Sequence, residues 1–136
     1  MAFVTLVDVG GYQVGVEVKG SGPLVVFVSA QGEPAHVWTP VWQRMSAAAT
    51  LVAYDRSGVG ASDAVREPEV PRPYGWFADE LDATLRALSF DEPAVLVGHS
   101  FGCLIARVYA AAHPDREPSS ALLPQPRQPR MRELVS

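Results

Sequence analysis

Hydrophobic positions follow two different periods along this chain. Two segments near its start, FVTLVDV and YQVGVEV, alternate every second residue around Gly10-Gly11, a pattern typical of a β-hairpin. Three later segments, PLVVFVS, TLVAYD and AVLVG, are apolar throughout and rich in β-branched residues. Strands buried on both faces of a sheet have this composition. The pattern therefore predicts a hairpin followed by three buried strands.

The stretches between and after the buried strands have a helical period. Thr39-Pro40 predicts the start of a first helix, with the threonine hydroxyl as its cap and proline at its first helical position. The apolar face of this helix comprises Trp38, Val41, Trp42, Met45 and Ala48. A second, amphipathic helix is predicted with Phe77, Leu81, Leu85 and Leu88 inward and Asp79, Glu80, Asp82 and Arg86 outward. A third helix, from Phe101 to Ala112, is apolar almost all round, with Arg107 its only charge, so we expect cover on most of its sides.

The order of these elements predicts an α/β fold. After the hairpin, strands and helices alternate, which is typical of a parallel sheet with helices on both faces. The pattern breaks at His113-Pro114, and four prolines follow Glu117 without any sustained period. We therefore expect one ordered core over residues 1–116 and a proline-rich, irregular or disordered tail over residues 117–136. Within that tail, only SSALL suits a short strand.

Composition and charge narrow the function classes. The chain has 136 residues, of which 48% are apolar, as in an ordinary globular domain. Its net charge of −4 and the lack of a basic run argue against a nucleic-acid partner. Cys103 is the single cysteine, so no internal disulfide can form. The first residues carry Asp8 and lack the basic region of a signal peptide. No apolar run is long enough to cross a membrane. We therefore expect a cytoplasmic protein without membrane contact.

The segment VLVGHSFGCL holds the main candidate for chemistry. A serine hydroxyl attacks a carbonyl only with the help of a base and of donors for the oxyanion that forms. A tight turn between a strand and a helix lifts the residue at its apex, here Ser100, clear of the sheet. The residues two before and two after the apex must be small, and they are Gly98 and Gly102. The backbone amide of Phe101 would face the oxyanion, at the start of a helix whose dipole favours negative charge.

These features resemble the α/β-hydrolase family. The strand–GxSxG–helix arrangement is that family's nucleophile elbow. AYDRSGVGASD, residues 53–63, is similar to the DRxGxGxS loop after the family's fourth strand. The run PLVVFVSAQG lies where the family usually has a His-Gly pair after its third strand. The resemblance extends from about residue 12 to residue 116 and identifies a partial α/β-hydrolase fold that lacks the family's C-terminal strands.

The resemblance also implies roles for particular residues. Ser100 would be the nucleophile, and a backbone amide of the loop after the third strand, from Gln31 or alternatively Ala30, would be the second oxyanion donor. The family's acid and histidine follow the nucleophile in the chain. The three histidines here, His36, His99 and His113, do not lie at the position of the family's base.

Other polar and aromatic residues have simpler interpretations. Asp55 and Arg56 are expected to hold the loop beneath the elbow, and Cys103 to be a small buried residue. Trp38 and Trp42 share a helical face and are expected in the core.

An ester or acyl hydrolase is the function that the resemblance implies. The same resemblance implies a small-molecule, ester-like substrate and no metal or organic cofactor. Without the acid and the histidine, we expect a truncated protein that is weakly active or inactive alone. Two alternatives stay open: a binding or assembly module completed by a second chain, or a non-functional, frame-shifted gene product. Because the strand at residues 94–98 would have an unpaired edge unless SSALL covers it, we also expect self-association through an exposed sheet edge.

Overall fold

Six strands and three helices form the part of the chain that the structure describes. The structure is a computed structural model, and it describes residues 4–65, 71–116 and 119–122. The strands are β1 (Val4–Asp8), β2 (Gln13–Gly20), β3 (Leu24–Val28), β4 (Thr50–Tyr54), β5 (Ala94–Gly98) and β6 (Ser119–Leu122). The helices are α1 (Thr39–Met45), α2 (Tyr74–Ala87) and α3 (Phe101–Ala112), with short 3-10 turns at Ala35–Trp38 and Pro114–Arg116.

The sheet has the predicted hairpin followed by mostly parallel strands. Its order is β1-β2-β4-β3-β5-β6. β1 and β2 pair antiparallel, as do β2 and β4. β4, β3, β5 and β6 run parallel to one another. Since the carboxyl ends of parallel strands lie at the same edge, the loops that follow β3, β4 and β5 meet there, and this edge carries the candidate site.

The sheet extends beyond residue 116, where the sequence predicts the end of the core. Ser119–Leu122, within the segment SSALL, pairs with β5 in parallel from Val95 to Gly98. The prediction of an unpaired edge at residues 94–98 therefore does not hold, because β6 covers it, and the outer strands of the described sheet are β1 and β6. The rest of the predicted tail, residues 123–136, lies outside the described residues.

Both faces of the sheet bury apolar side chains, which is why the central strands are continuously apolar. Val26 and Val28 of β3 lie in one cluster with the inward residues of α2 and α3. Phe27 lies in the other cluster, where its ring centroid is 4.9 Å from that of Trp38 and 5.8 Å from that of Trp42. Both tryptophans are buried, which confirms their predicted place in the core.

The first helix differs from its prediction at both ends. Thr39 is its first residue and does not cap it, because its hydroxyl donates to the carbonyl of His36 at 2.8 Å. The residue at the cap position is Trp38, which makes no capping bond with its side chain. The helix ends at Met45, so Ala48 lies beyond it. Among the helices of the described residues, none is both long enough and apolar enough to span a bilayer.

Candidate active site

Ser100 occupies a strained turn between β5 and α3. Its backbone has φ of 54° and ψ of −119°, a conformation that non-glycine residues seldom adopt. Strain of this kind typically costs about 1–3 kcal/mol and persists only where the surrounding structure enforces it. The serine is exposed to solvent. The turn thus presents one hydroxyl at the carboxyl edge of the sheet.

The two glycines around Ser100 lie where no side chain fits. A Cβ atom at Gly98 would come within 2.8 Å of both the amide nitrogen and the Cα of Cys103, in the first turn of α3. A Cβ at Gly102 would overlap the carbonyl oxygen of Val28 and lie 2.6 Å from its carbonyl carbon. Helix α3 therefore lies almost directly against the backbone of β3 and β5, and this close packing requires glycine at both positions.

The loop after β3 is held by the side chain of Arg56. The guanidinium donates to the carbonyls of Ser29 and Ala30, each at 2.6 Å, and the residue is 4% exposed. Its central carbon also lies 5.2 Å from the ring centroid of Phe101. One cation therefore contacts both the loop that contains Ala30 and Gln31 and the first residue of α3. These contacts agree with the predicted structural role of Arg56 and add a partner, Phe101, that the sequence does not indicate.

Asp55 joins two of the loops at this edge. One carboxylate oxygen accepts the amide of Ala35 at 2.6 Å, and the other accepts the amide of Ala61 at 3.0 Å. A Cβ at Gly60 would collide with this carboxylate, and Gly60 has φ of +54°. Asp55 therefore fixes the loop after β4 to the 3-10 turn that precedes α1, as expected of a structural residue.

Glu80 is buried, which contradicts its predicted outward position. It is 3% exposed. One carboxylate oxygen accepts the hydroxyl of Tyr12 at 2.5 Å, and the other accepts the amide of Ser57 at 3.3 Å. Burial raises the pKa of Glu80 above its ordinary value, although these two hydrogen bonds and the charges of Arg56 and Arg72 oppose the rise. The helical pattern places Glu80 on the solvent face. It cannot reveal the partners of Glu80, because they are distant in the sequence.

Replacing Glu80 by glutamine should remove a pH-dependent loss of stability. Since the folded chain has the higher pKa, it holds this proton more tightly than the unfolded chain does. This proton contributes its full stabilisation at pH values below the pKa of Glu80 in the unfolded chain. The stabilisation is lost as the pH rises through the pKa of Glu80 in the folded chain. The free energy of unfolding of the wild type, minus that of Glu80→Gln, should therefore fall as the pH rises from the ordinary pKa of a glutamate, about 4.3, through the higher pKa of the folded chain. Urea titrations across this range measure the difference. The exposed neighbour Asp79→Asn is the control, and a flat difference for Glu80→Gln would contradict the assignment.

Among the described residues, no hydrogen bond or ion pair joins any of the three histidines to Ser100. His99 has its Nδ1 atom 3.8 Å from a carboxylate oxygen of Glu33, and both side chains are partly exposed. His113 lies at the far end of α3, with its Nε2 atom 3.9 Å from a carboxylate oxygen of Asp82. His36 is exposed, in the turn before α1.

Cys103 is buried beside the elbow. Its thiol lies 3.0 Å from the carbonyl oxygen of Gly98, and the residue is 4% exposed. This agrees with its expected place as a small buried residue in the first turn of α3.

A cavity of about 440 Å³ lies next to the elbow. Its lining residues are Gln31, Gly32, Arg56, Ser57, Val59, Pro71, Arg72, Phe77 and Phe101. It therefore brings together the loop after β3, the loop after β4 and the start of α3. Sequence reasoning did not single out Arg72, because its segment reads only as a polar, proline-rich loop.

Comparison with known proteins assigns the family. A sequence model described as the alpha/beta hydrolase fold matches residues 23–123. The chain belongs to the alpha/beta hydrolase fold family. The structural match agrees: the crystal structure of E-2-(acetamidomethylene)succinate hydrolase superposes with a TM-score of 0.77 at 33% identity, covering 88% of this chain and 43% of that one.

Two curated relatives of this family member are a hydrolase and an esterase. The chain is 36% identical over 109 residues to 2-(acetamidomethylene)succinate hydrolase of Mesorhizobium japonicum, covering 80% of this chain and 38% of the relative. It is 37% identical over 108 residues to pimeloyl-[acyl-carrier protein] methyl ester esterase of Chromobacterium violaceum, covering 79% of this chain and 39% of the relative. The chain thus spans less than half the length of these relatives.

Proposed function

We propose that this alpha/beta hydrolase chain carries the nucleophilic half of an ester or acyl hydrolase, with Ser100 as the nucleophile. The observation that carries the proposal is the position of Ser100, exposed and strained at the apex between Gly98 and Gly102. In this reaction the serine oxygen attacks the carbonyl carbon of the substrate, and the hydroxyl proton goes to a base. The leaving group departs as an alcohol, and water then releases the acid from the acyl-enzyme.

Two backbone amides are proposed to stabilise the oxyanion. The amide of Phe101 is in the first turn of α3, where N–H groups have no partner within the helix. The second donor is assigned to Gln31, with Ala30 as the alternative. This assignment is supported by the guanidinium of Arg56, which fixes the carbonyls on the sheet side of that loop and contacts Phe101. Preorganised donors of this kind act without reorganisation when charge develops.

Among the described residues, no base and no orienting acid is joined to Ser100 by a hydrogen bond or an ion pair. His99 and His113 have carboxylate neighbours, but neither pair contacts the serine. We therefore propose that the chain alone is weakly active or inactive, and that turnover requires a histidine and an acid from outside this sequence. A second chain that completes the site is one source. A frame-shifted, non-functional product remains the alternative origin of the last residues.

Covalent labelling of the serines tests the assignment of the nucleophile. During long incubation with an aryl fluorophosphonate, the phosphonyl group should be found on Ser100 by peptide mass mapping. Because oxyanion donors alone leave substantial catalysis, we expect a rate at least about tenfold above that of Ser21, an exposed serine in the turn between β2 and β3. Ser100→Ala should remove this label only. Equal labelling of Ser21 and Ser100 would contradict the role.

We also propose that the isolated chain self-associates, and β1 is the described edge that best fits this. Val4 and Leu6 of this outer strand are each 49% exposed, and edge strands offer unpaired N–H and C=O groups to other chains. The molar mass from size exclusion with light scattering should rise with concentration. Leu6→Lys should suppress the rise, whereas Val37→Lys, at an exposed apolar residue in a helical turn, should not. A constant monomer mass over the dilution series would refute this proposal.

A further inference from the structure

The first residue of the loop after β3, Ser29, is held by three contacts. Its hydroxyl accepts the indole Nε1–H of Trp38 at 2.9 Å, and both residues are buried. Its carbonyl accepts one N–H of Arg56 at 2.6 Å. The same carbonyl oxygen would lie 2.7 Å from a Cβ at Gly102, so the backbone of Ser29 packs directly against the first turn of α3. Ser29 therefore links the aromatic core, the loop and the elbow.

The loop beyond Ser29 is a tight turn that contains Gln31. The amide of Glu33 donates to the carbonyl of Ala30 at 3.1 Å, and Gly32 has φ of +74°. A positive φ at the third of four residues is typical of a type II turn. Gln31 is the second residue of this turn, and its backbone amide donates to no acceptor among the described residues. This amide is therefore free to donate to a ligand, and its position depends on how the turn is anchored at Ser29.

Trp38 anchors this serine from within the core. Its ring centroid lies 4.9 Å from that of Phe27, and close packing on this side restricts movement of the indole. Trp42 is buried in the same cluster, yet its Nε1 atom has no hydrogen-bond partner among the described residues. Burial in this cluster therefore does not by itself supply an indole with a partner, and the bond to Ser29 is specific to Trp38.

We infer that Ser29 and Trp38 are positioning residues, because their hydrogen bond fixes the second oxyanion donor relative to the elbow. The inference rests on the proposed function, in which that donor is the amide of Gln31. An oxyanion donor is effective only if it is already oriented when charge develops on the substrate. Arg56 binds this loop at two neighbouring carbonyls, so loss of the Trp38 contact would leave the turn free to pivot about the guanidinium.

Backbone dynamics test the anchoring of the loop without any reaction. In the wild type, ¹⁵N relaxation should give order parameters of about 0.85 for the amides of Gln31 and Gly32, as for rigid backbone. Ser29→Ala and Trp38→Phe should each lower these values toward the flexible range, below about 0.6. Thr84→Val is the matched control, because it removes another buried hydroxyl hydrogen bond, within α2, and it should leave the loop rigid. Unchanged order parameters in either loop variant would overturn the inference.

The rate at which the fluorophosphonate labels Ser100 gives the second readout. Ser29→Ala should slow this labelling about tenfold or more, toward the rate of Ser21, because a misplaced donor stabilises the oxyanion poorly. Ser29→Thr keeps the hydroxyl and should stay close to the wild-type rate, whereas Ser29→Val should be as slow as Ser29→Ala. Threonine and valine have nearly the same shape, so this pair separates the hydrogen bond from packing. Ser29→Ala combined with Trp38→Phe should be no slower than either change alone, because both remove one bond.

The two readouts distinguish failure of this inference from failure of the proposed nucleophile. If Ser100 of the wild type is not labelled, the assignment of the nucleophile is wrong, and the order parameters still decide whether Ser29 and Trp38 anchor the loop. If Ser100 is labelled, equal labelling rates for Ser29→Thr and Ser29→Val would overturn the inference. Labelling of Thr84→Val that is slowed as much as that of Ser29→Ala would also overturn it, since loss of stability alone would then explain the effect.

Discussion

Gly102→Val should destabilise the chain by about 3 kcal/mol or more, at or above the upper end of the usual cost of overpacking. The new Cβ would overlap the carbonyl oxygen of Val28 and lie 2.7 Å from that of Ser29. These are backbone atoms at the end of β3, whose neighbour β5 pairs with it in register from Leu24 to Val28. Neither atom can move away without breaking the centre of the sheet. Urea unfolding followed by circular dichroism measures the loss, which is a large share of a typical domain's stability of about 5–15 kcal/mol.

Substitutions of two other glycines serve as comparisons for Gly102→Val. Gly98→Val should cost about 1–3 kcal/mol, since the three atoms nearest to its Cβ all belong to the first turn of α3. Gly75→Ala is the control, because Gly75 is in α2 and its Cβ would meet nothing within 4 Å. It should stabilise the chain by up to about 1 kcal/mol through helix propensity. Unchanged unfolding midpoints for both valine variants would mean that α3 does not pack against β3 and β5 through these glycines.

The second large effect concerns turnover, which we expect to be almost absent from the 136-residue chain. With p-nitrophenyl acetate, its rate should stay within about tenfold of that of Ser100→Ala, because loss of the histidine of a triad costs about as much as loss of the whole triad. Oxyanion donors and binding alone leave about 10³–10⁴-fold catalysis over water, and that remainder requires an intact pocket. Slow labelling of Ser100 is compatible with this result, since labelling needs one attack whereas turnover also needs activation of water.

Steady-state rates of ester hydrolysis decide this point. Rapid hydrolysis that is abolished by Ser100→Ala would contradict the expectation. It would require a base among the residues present, and His99→Gln would then be the first variant to compare. Rapid hydrolysis that survives Ser100→Ala would instead show a different nucleophile.

Local sequence patterns predicted the elbow and its flanking elements well. The strand before Ser100 and the helix from Phe101 to Ala112 lie where apolar continuity and the two glycines place them. The reason is that a buried strand, a tight turn and a buried helix each leave a signature within about ten residues. The strand at residues 119–122 was less clear, because prolines surround it and only its short apolar run indicates pairing.

Contacts between distant residues were beyond the reach of these patterns. Glu80 has a helical position typical of solvent exposure, yet Tyr12, 68 residues away, binds it in the interior. The contacts of Arg56 with Ser29 and Ala30 span 27 and 26 residues. The cavity beside the elbow follows from the same long-range folding, since its lining comes from the loop after β3, the connection between β4 and α2, and the start of α3. The order of the strands in the sheet decides which distant residues come into contact, and no local sequence period encodes that order.

The side chains of β3 alternate between the two hydrophobic clusters, and this alternation limits where related sequences can gain or lose residues during evolution. Val26 and Val28 face one cluster, and Val25 and Phe27 face the other. Inserting or deleting one residue at the middle of this strand would exchange the two sets for the rest of the strand, so both clusters would receive side chains of the wrong size. The same change at Gly10-Gly11, an exposed hairpin turn, would lengthen or shorten a loop only. Drift in length should therefore accumulate at the hairpin turn and be absent from β3.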